Sequence, residues 1–253
     1  MPLPKLNVPM FELNLPSNEK KVRFRPFLVK EQKILMMALE SDDQVATLNA
    51  VKQIVNNCAV DEIEVDDLPM FDLEYFFVRV RSKSIGEVVE LTMRHPTGMN
   101  SKGEQCSHGT NFKLNLLDVD VQRAIAHETK ILIEEETGTG ISFKYPTSTM
   151  IIEAQKEYKD KPDDEKDSQI DIAIKAIIDC IDYVYDKENI YKKDDFSKKE
   201  LVEFIDGLSQ EQFLKLTQFF DTMPKLKHTV KWKCAGCGCE DSFDMEGLAN
   251  FFV

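Results

Sequence analysis

The 253-residue sequence has no run of about 18 apolar residues, so it carries no membrane-spanning helix. Its opening, MPLPKLNVPM, lacks the apolar core of a secretion signal, which points to synthesis in a reducing cytosol. Six cysteines in that setting are free thiols or metal ligands rather than disulfides. No basic stripe with interleaved aromatics is present, and the formal charge of −13 opposes binding to nucleic-acid phosphates. A local basic run of Lys225, Lys227, His228, Lys231 and Lys233 is the feature that pulls the other way. Histidine is scarce, at four residues, and His127-Glu128 lacks the second histidine of a metalloprotease helix. Gly138-Thr-Gly140 is a hairpin turn, too short for a phosphate loop. No nucleophile–base pair can be assembled, so the residues argue against an enzyme, whether zinc-dependent or thiol-based.

A whole-domain repeat is what the sequence does contain. Phe11–Leu15, a turn, and Val22–Phe27 reappear as Lys130–Glu134, a turn, and Ile141–Pro146. Each copy leads into helices and ends in a Cys/His-bearing hairpin. The order predicts an α+β fold, internally duplicated. It divides the chain into an extended N-terminal arm over 1–9, a first repeat domain over 10–126 and a second over 127–253. At 42% hydrophobic and 30% charged residues, the composition is that of a soluble chain able to fill two such cores.

In the first copy, alternation predicts a hairpin over 11–27, then a helix over 30–40 with Leu28, Leu35 and Leu39 on one stripe. A second helix spans 44–58, burying Val45, Leu48, Val51, Ile54, Val55 and Cys58. Asp72 is placed to cap a third helix that buries Leu73, Phe76, Phe77 and Val80. Strands follow over 87–93 and 111–117, around a loop from His95 to Gly109. The second copy repeats this order: hairpin 129–145, a helix from Ser148, a charged insertion over 159–167, and a helix over 168–186. That helix carries Ile170, Ala173, Ile174, Ile177, Ile178, Ile181 and Val184 on its buried side. Ser197-Lys-Lys-Glu200 and Ser209-Gln-Glu-Gln212 each fit a capping box, in which hydroxyl and N3 side chain satisfy free backbone N–H groups. Strands at 229–233 and 242–245 flank the cysteine loop. Cys58 and Cys180 fall on apolar helix faces as inert core residues.

Cys234-Ala-Gly-Cys237-Gly-Cys239 is the sharpest chemical signal. The C-x-x-C spacing on a tight turn between strands lets two thiolates meet one tetrahedral zinc, as in a zinc knuckle. A redox role fits less well, because such motifs sit at helix N-termini. Aligning Phe243 with Phe112 sets Cys237 opposite Cys106 and Cys239 opposite His108, and His95 then matches Cys234. Three arrangements stay open. One structural zinc joins both loops through Cys106, Cys234, Cys237 and one histidine; or Cys234, Cys237 and Cys239 share a metal with a ligand from elsewhere; or the thiols bind no metal.

The segment LPSNEKKVRFRPFLVKEQKIL (15–35), followed by Ala38-Leu-Glu-Ser41, resembles the opening of the T4-type phage baseplate hub proteins, which run hairpin, then RPFLVKE-K-LL-A-ES. The Cys-x-x-Cys before a final hydrophobic strand is similar to that family as well. The resemblance implies a subunit of the contractile-tail baseplate hub, or a non-virion factor that assembles it, with no catalytic residues. Its partners are then other hub and tail proteins, or a second copy of the chain. Its locations are the host cytoplasm during assembly and the tail baseplate of the virion.

Overall fold

The computed structural model describes residues 7–162 and 168–251. The arm expected over 1–9 lies mostly outside them, and residues 7–10 form no regular element. The charged insertion also falls outside from residue 163 to 167. Among the described residues the fold is α+β, as the repeat predicts, with seven α-helices and eleven strands in four small sheets.

The first copy opens with β1 (Phe11–Asn14) and β2 (Lys21–Phe24), antiparallel, with Leu13 opposite Val22. α1 (Val29–Glu40) and α2 (Gln44–Cys58) follow. On α2 every expected core residue is buried. On α1 the expected stripe holds only at Leu35: Leu28 and Leu39 are exposed, and Glu31 and Ala38 face inward beside Leu35. The cause is an ion pair. Glu31 is fully buried, accepts the Leu28 N–H at 2.8 Å and binds the Arg25 guanidinium at 3.1 Å. Desolvation alone would raise its pKa; Arg25 and the Leu28 N–H together hold it below the usual value.

α3 (Met70–Ser84) begins after Pro69, where the missing N–H costs nothing. Asp72 is therefore not the cap. It lies buried in the first turn and accepts the backbone N–H of Ser17 at 3.0 Å as well as the Ser17 hydroxyl, which fastens the β1–β2 turn to the helix. Leu73, Phe76, Phe77 and Val80 are fully buried, and Phe24 meets Phe76 edge-on with ring centroids 5.7 Å apart. β3 (Val88–Met93) and β4 (Thr110–Asn115) close the first copy.

After the short β5 (Asp120–Gln122), the second copy opens with β6 (Lys130–Glu134) and β7 (Thr139–Phe143). α4 (Ser148–Asp160) is capped by the Thr147 hydroxyl, which accepts the Met150 N–H at 3.3 Å. α5 (Gln169–Cys180) stops six residues before the expected end, and the chain turns into β8 (Ile181–Tyr185). The run Ile-Asp-Tyr-Val-Tyr is β-branched and aromatic, which suits a strand. Ile181 and Val184 thus belong to a sheet, and Ile170 is exposed. β9 (Ile190–Lys192) completes the order β6-β7-β8-β9. α6 (Lys198–Asp206) and α7 (Gln210–Thr222) start at the two capping boxes, both formed.

β10 (Lys225–Lys233) and β11 (Glu240–Glu246) form the last hairpin, and β10 also pairs with β5. The chain accordingly forms two compact units: Met1–Gln122 with Lys225–Val253, and Arg123–Pro224. These units cut across the 10–126 and 127–253 division of the repeat. The physical reason is apolar packing: Val230, Trp232 and Met245 of the last hairpin share one core with Val78, Leu91, Leu114 and Leu116 of the first copy. The other unit has its own core, built from Ile141, Phe143, Ile177, Ile181, Leu201, Leu216 and Phe219.

Candidate metal centre

β3 delivers His95, and the loop after it folds back on itself. Gly98, at φ 70°, donates its N–H to the His95 carbonyl at 3.0 Å, and Cys106 N–H reaches the Gly98 carbonyl at 2.7 Å. The excursion between them is held by the buried Asn100, whose side-chain oxygen accepts the Lys102 N–H at 3.0 Å and the Glu104 N–H at 2.9 Å. β10 delivers Cys234. Its N–H bonds the Cys239 carbonyl and its carbonyl accepts the Gly238 N–H, both at 2.8 Å, with Gly238 at φ 71°. A knuckle results, between two strands.

Within the unit Met1–Gln122 with Lys225–Val253, four ligand atoms, from His95, Cys106, Cys234 and Cys237, all lie within 4.8 Å of one another. Cys106 Sγ is 3.7 Å from Cys234 Sγ, and Cys237 Sγ is 3.4 Å from His95 Nε2. Zinc bonds of about 2.3 Å to sulfur and 2.0–2.1 Å to nitrogen give tetrahedral edges of about 3.8 and 3.6 Å. The donor set and spacing therefore fit a thiolate-preferring tetrahedral ion, in the first of the three arrangements. His95 and Cys234 are buried, with Cys106 and Cys237 partly so.

The other two expected ligands lie outside the quartet. Cys239 is buried, and its backbone N–H bonds the Cys237 sulfur. His108 packs on Gly236, where an added Cβ would come within 2.6 Å of the His108 Cβ, so glycine is required there. Sequence reasoning missed Asp241, whose Oδ2 lies 3.0 Å from His95 Nδ1. Trp232 covers the imidazole, with ring centroids 5.0 Å apart.

Without an ion, these contacts set the charges. Asp241 first, and the neighbouring thiols after it, raise the His95 pKa to about 9. The Cys239 N–H, with His95 and Asn100 assisting against desolvation, brings Cys237 down to about 6. The Cys237 N–H lowers Cys234. At Cys106 the His108 N–H acts in the same sense but is outweighed by desolvation and the adjacent thiols, so its pKa rises. Cys234 and Cys237 are thus favoured as thiolates, whereas Cys106 is held toward its protonated form. By contrast, burial pushes Cys58 and Cys180 up to about 11, in keeping with inert core positions.

The remaining candidates are otherwise engaged. His127 hydrogen-bonds Thr222 Oγ1 at 3.0 Å and the Tyr145 hydroxyl at 3.1 Å. In the basic run, Lys225 pairs with Glu246 at 3.3 Å and Lys227 with Asp244 at 2.8 Å.

The fold is α+β, and it brings His95, Cys106, Cys234 and Cys237 together in a thiolate–imidazole cluster that could hold a metal ion. The family model described as T4 bacteriophage base plate protein matches residues 8–253, and the chain belongs to that family. No curated protein and no solved structure matches it. Membership supports a structural role in a phage baseplate, in the virion tail, among other tail proteins. Among the described residues no helix is long and apolar enough to cross a membrane.

Proposed function

We propose that this chain is a non-enzymatic subunit of the contractile-tail baseplate hub, made in the host cytoplasm and acting through protein–protein contacts. A structural zinc at His95, Cys106, Cys234 and Cys237 holds its last hairpin. The observation that carries the hub reading is the segment 15–41, where the likeness to hub proteins is most specific. In that segment α1 turns Val29 and Met37 outward at 67% and 71% exposure, beside exposed Met36. Flexible methionine surface of this kind suits protein docking. Four protein ligands fill a tetrahedral shell and leave no open position for a substrate, which supports a structural rather than catalytic metal. The lysine pairs on β10 and the acidic chain support protein partners over nucleic acid.

Mass spectrometry of purified particles tests the role. Presence at fixed copy number is expected; absence from particles, with binding to hub proteins before assembly, identifies an assembly factor. Metal analysis tests the zinc, with one ion expected per reduced chain. Chelation is then expected to lower the stability of the unit holding the quartet by several kcal/mol, since structural zinc contributes on the order of 10 kcal/mol in small domains. Unchanged melting in chelator removes the zinc from the account.

A further inference from the structure

Strand register relates the two Cys/His hairpins residue by residue. Leu91 pairs with Phe112 on β3–β4, and Val230 pairs with Phe243 on β10–β11. His95 follows Leu91 by four residues, as Cys234 follows Val230; Cys106 precedes Phe112 by six, as Cys237 precedes Phe243. Each repeat thus supplies two ligands from equivalent positions. The same counting makes Thr110 and Asp241 equivalent, each two residues before its phenylalanine. Both reach into the opposite repeat. Asp241 bonds His95 Nδ1 at 3.0 Å, and Thr110 Oγ1 accepts the N–H of Ala235, the neighbour of Cys234, at 3.0 Å.

We propose that the metal centre is built from two equivalent half-sites, cross-braced by Asp241 and Thr110, and that Asp241 is the positioning residue that makes His95 a ligand. A neutral imidazole carries one proton. The Asp241 carboxylate accepts it on Nδ1, which leaves the Nε2 lone pair facing the three sulfurs. In the second half-site the equivalent ligand is a thiolate, which has no tautomer to set. There the brace needs only to fix the backbone, and an uncharged threonine suffices.

The proposal rests on the zinc reading, and the test separates the two. Zinc affinity of the full-length reduced chain is measured by competition with a chromophoric chelator. Asp241→Ala is expected to weaken binding about 10–100-fold. Asp241→Asn, whose amide oxygen accepts the same proton, restores most of it. Thr110→Val costs only a few-fold. The deciding arm is the His95→Cys background, where the ligand has no tautomer and Asp241→Ala is expected to change affinity by less than twofold. An equal loss in both backgrounds makes Asp241 a merely structural residue and overturns the proposal. So does an Asp241→Ala chain that binds zinc as tightly as the parent, and that result leaves the zinc reading intact. A parent chain that binds no zinc with its thiols reduced overturns both.

Discussion

In the first repeat, the Arg25 N–H reaches the carbonyl of Cys58, the last residue of α2, at 2.9 Å. In the second, the Lys144 N–H reaches the carbonyl of Cys180, the last residue of α5, at 2.8 Å. The joint is the same, but its reinforcement is not. After Cys58 the chain makes a single bridge, Ala59 to Phe24, with Val60 N–H on the Arg23 carbonyl at 2.9 Å. After Cys180 it continues as β8, and β9 adds to the sheet. The first repeat compensates with charge. Arg25 binds the buried Glu31 and also donates to the Asn57 carbonyl at 2.8 Å, tying hairpin, α1 and α2 together. Glu31 sits three residues after its helix cap; the second repeat has Met150 there and a threonine cap before it. One backbone joint can thus be secured by a buried ion pair or by a longer ladder of hydrogen bonds.

Breaking the ion pair is the strongest way to test that contrast. Glu31→Ala leaves the Arg25 guanidinium with carbonyl acceptors but no counter-charge, and is expected to cost about 3–5 kcal/mol. Met150→Ala at the equivalent position, only half-buried, is expected to cost about 1 kcal/mol or less. Equal losses in urea titration would dissolve the distinction. A second contrast is acidity inside the helices. α3 buries Glu74, whereas the described residues of α6 and α7 bury no carboxylate. Burial raises the Glu74 pKa to about 7, against the Leu248 N–H that favours the anion. Because the folded pKa lies above the unfolded one, its contribution is fully present below about pH 4.5 and is lost as pH rises through 7. Glu74→Gln is therefore expected to flatten that loss and to be more stable than the parent at pH 8, by up to about 3 kcal/mol. A parent and variant with parallel pH–stability curves would place the charge cost elsewhere. The smallest effect concerns the caps. Thr147→Ala removes the hydroxyl that caps α4 and is expected to cost about 1 kcal/mol. Leu28→Ala is expected to cost a few tenths, since Glu31 already holds the Leu28 N–H.

Much of this was readable in advance where the physics is local. The α2 core, the two capping boxes and both entry hairpins follow from spacing alone. The turn of α5 into β8 was not, because Ile181 and Val184 continue the three-and-four stepping of the helix before them. Only pairing with β7 distinguishes the two states. The inward turn of Glu31 was hidden for a related reason: a carboxylate reads as surface until its guanidinium partner is known. In the candidate metal centre all four clustered residues stood out by type, but their selection over Cys239 and His108 depends on how the two hairpins meet. Asp241 was invisible, as one acid beside another in Glu240-Asp241.

The pairing of β5 with β10 has a consequence for lineage. Gln122, where the chain leaves one unit, is the hydrogen-bonded neighbour of Lys225, where it returns. Antiparallel neighbours lie about 5 Å apart, so the hundred-odd residues between them start and finish almost at one point. Lengthening such an excursion adds little to the entropy of closing it. Insertion or trimming within 123–224 is therefore expected to leave the point at which the excursion closes, Gln122 beside Lys225, in place.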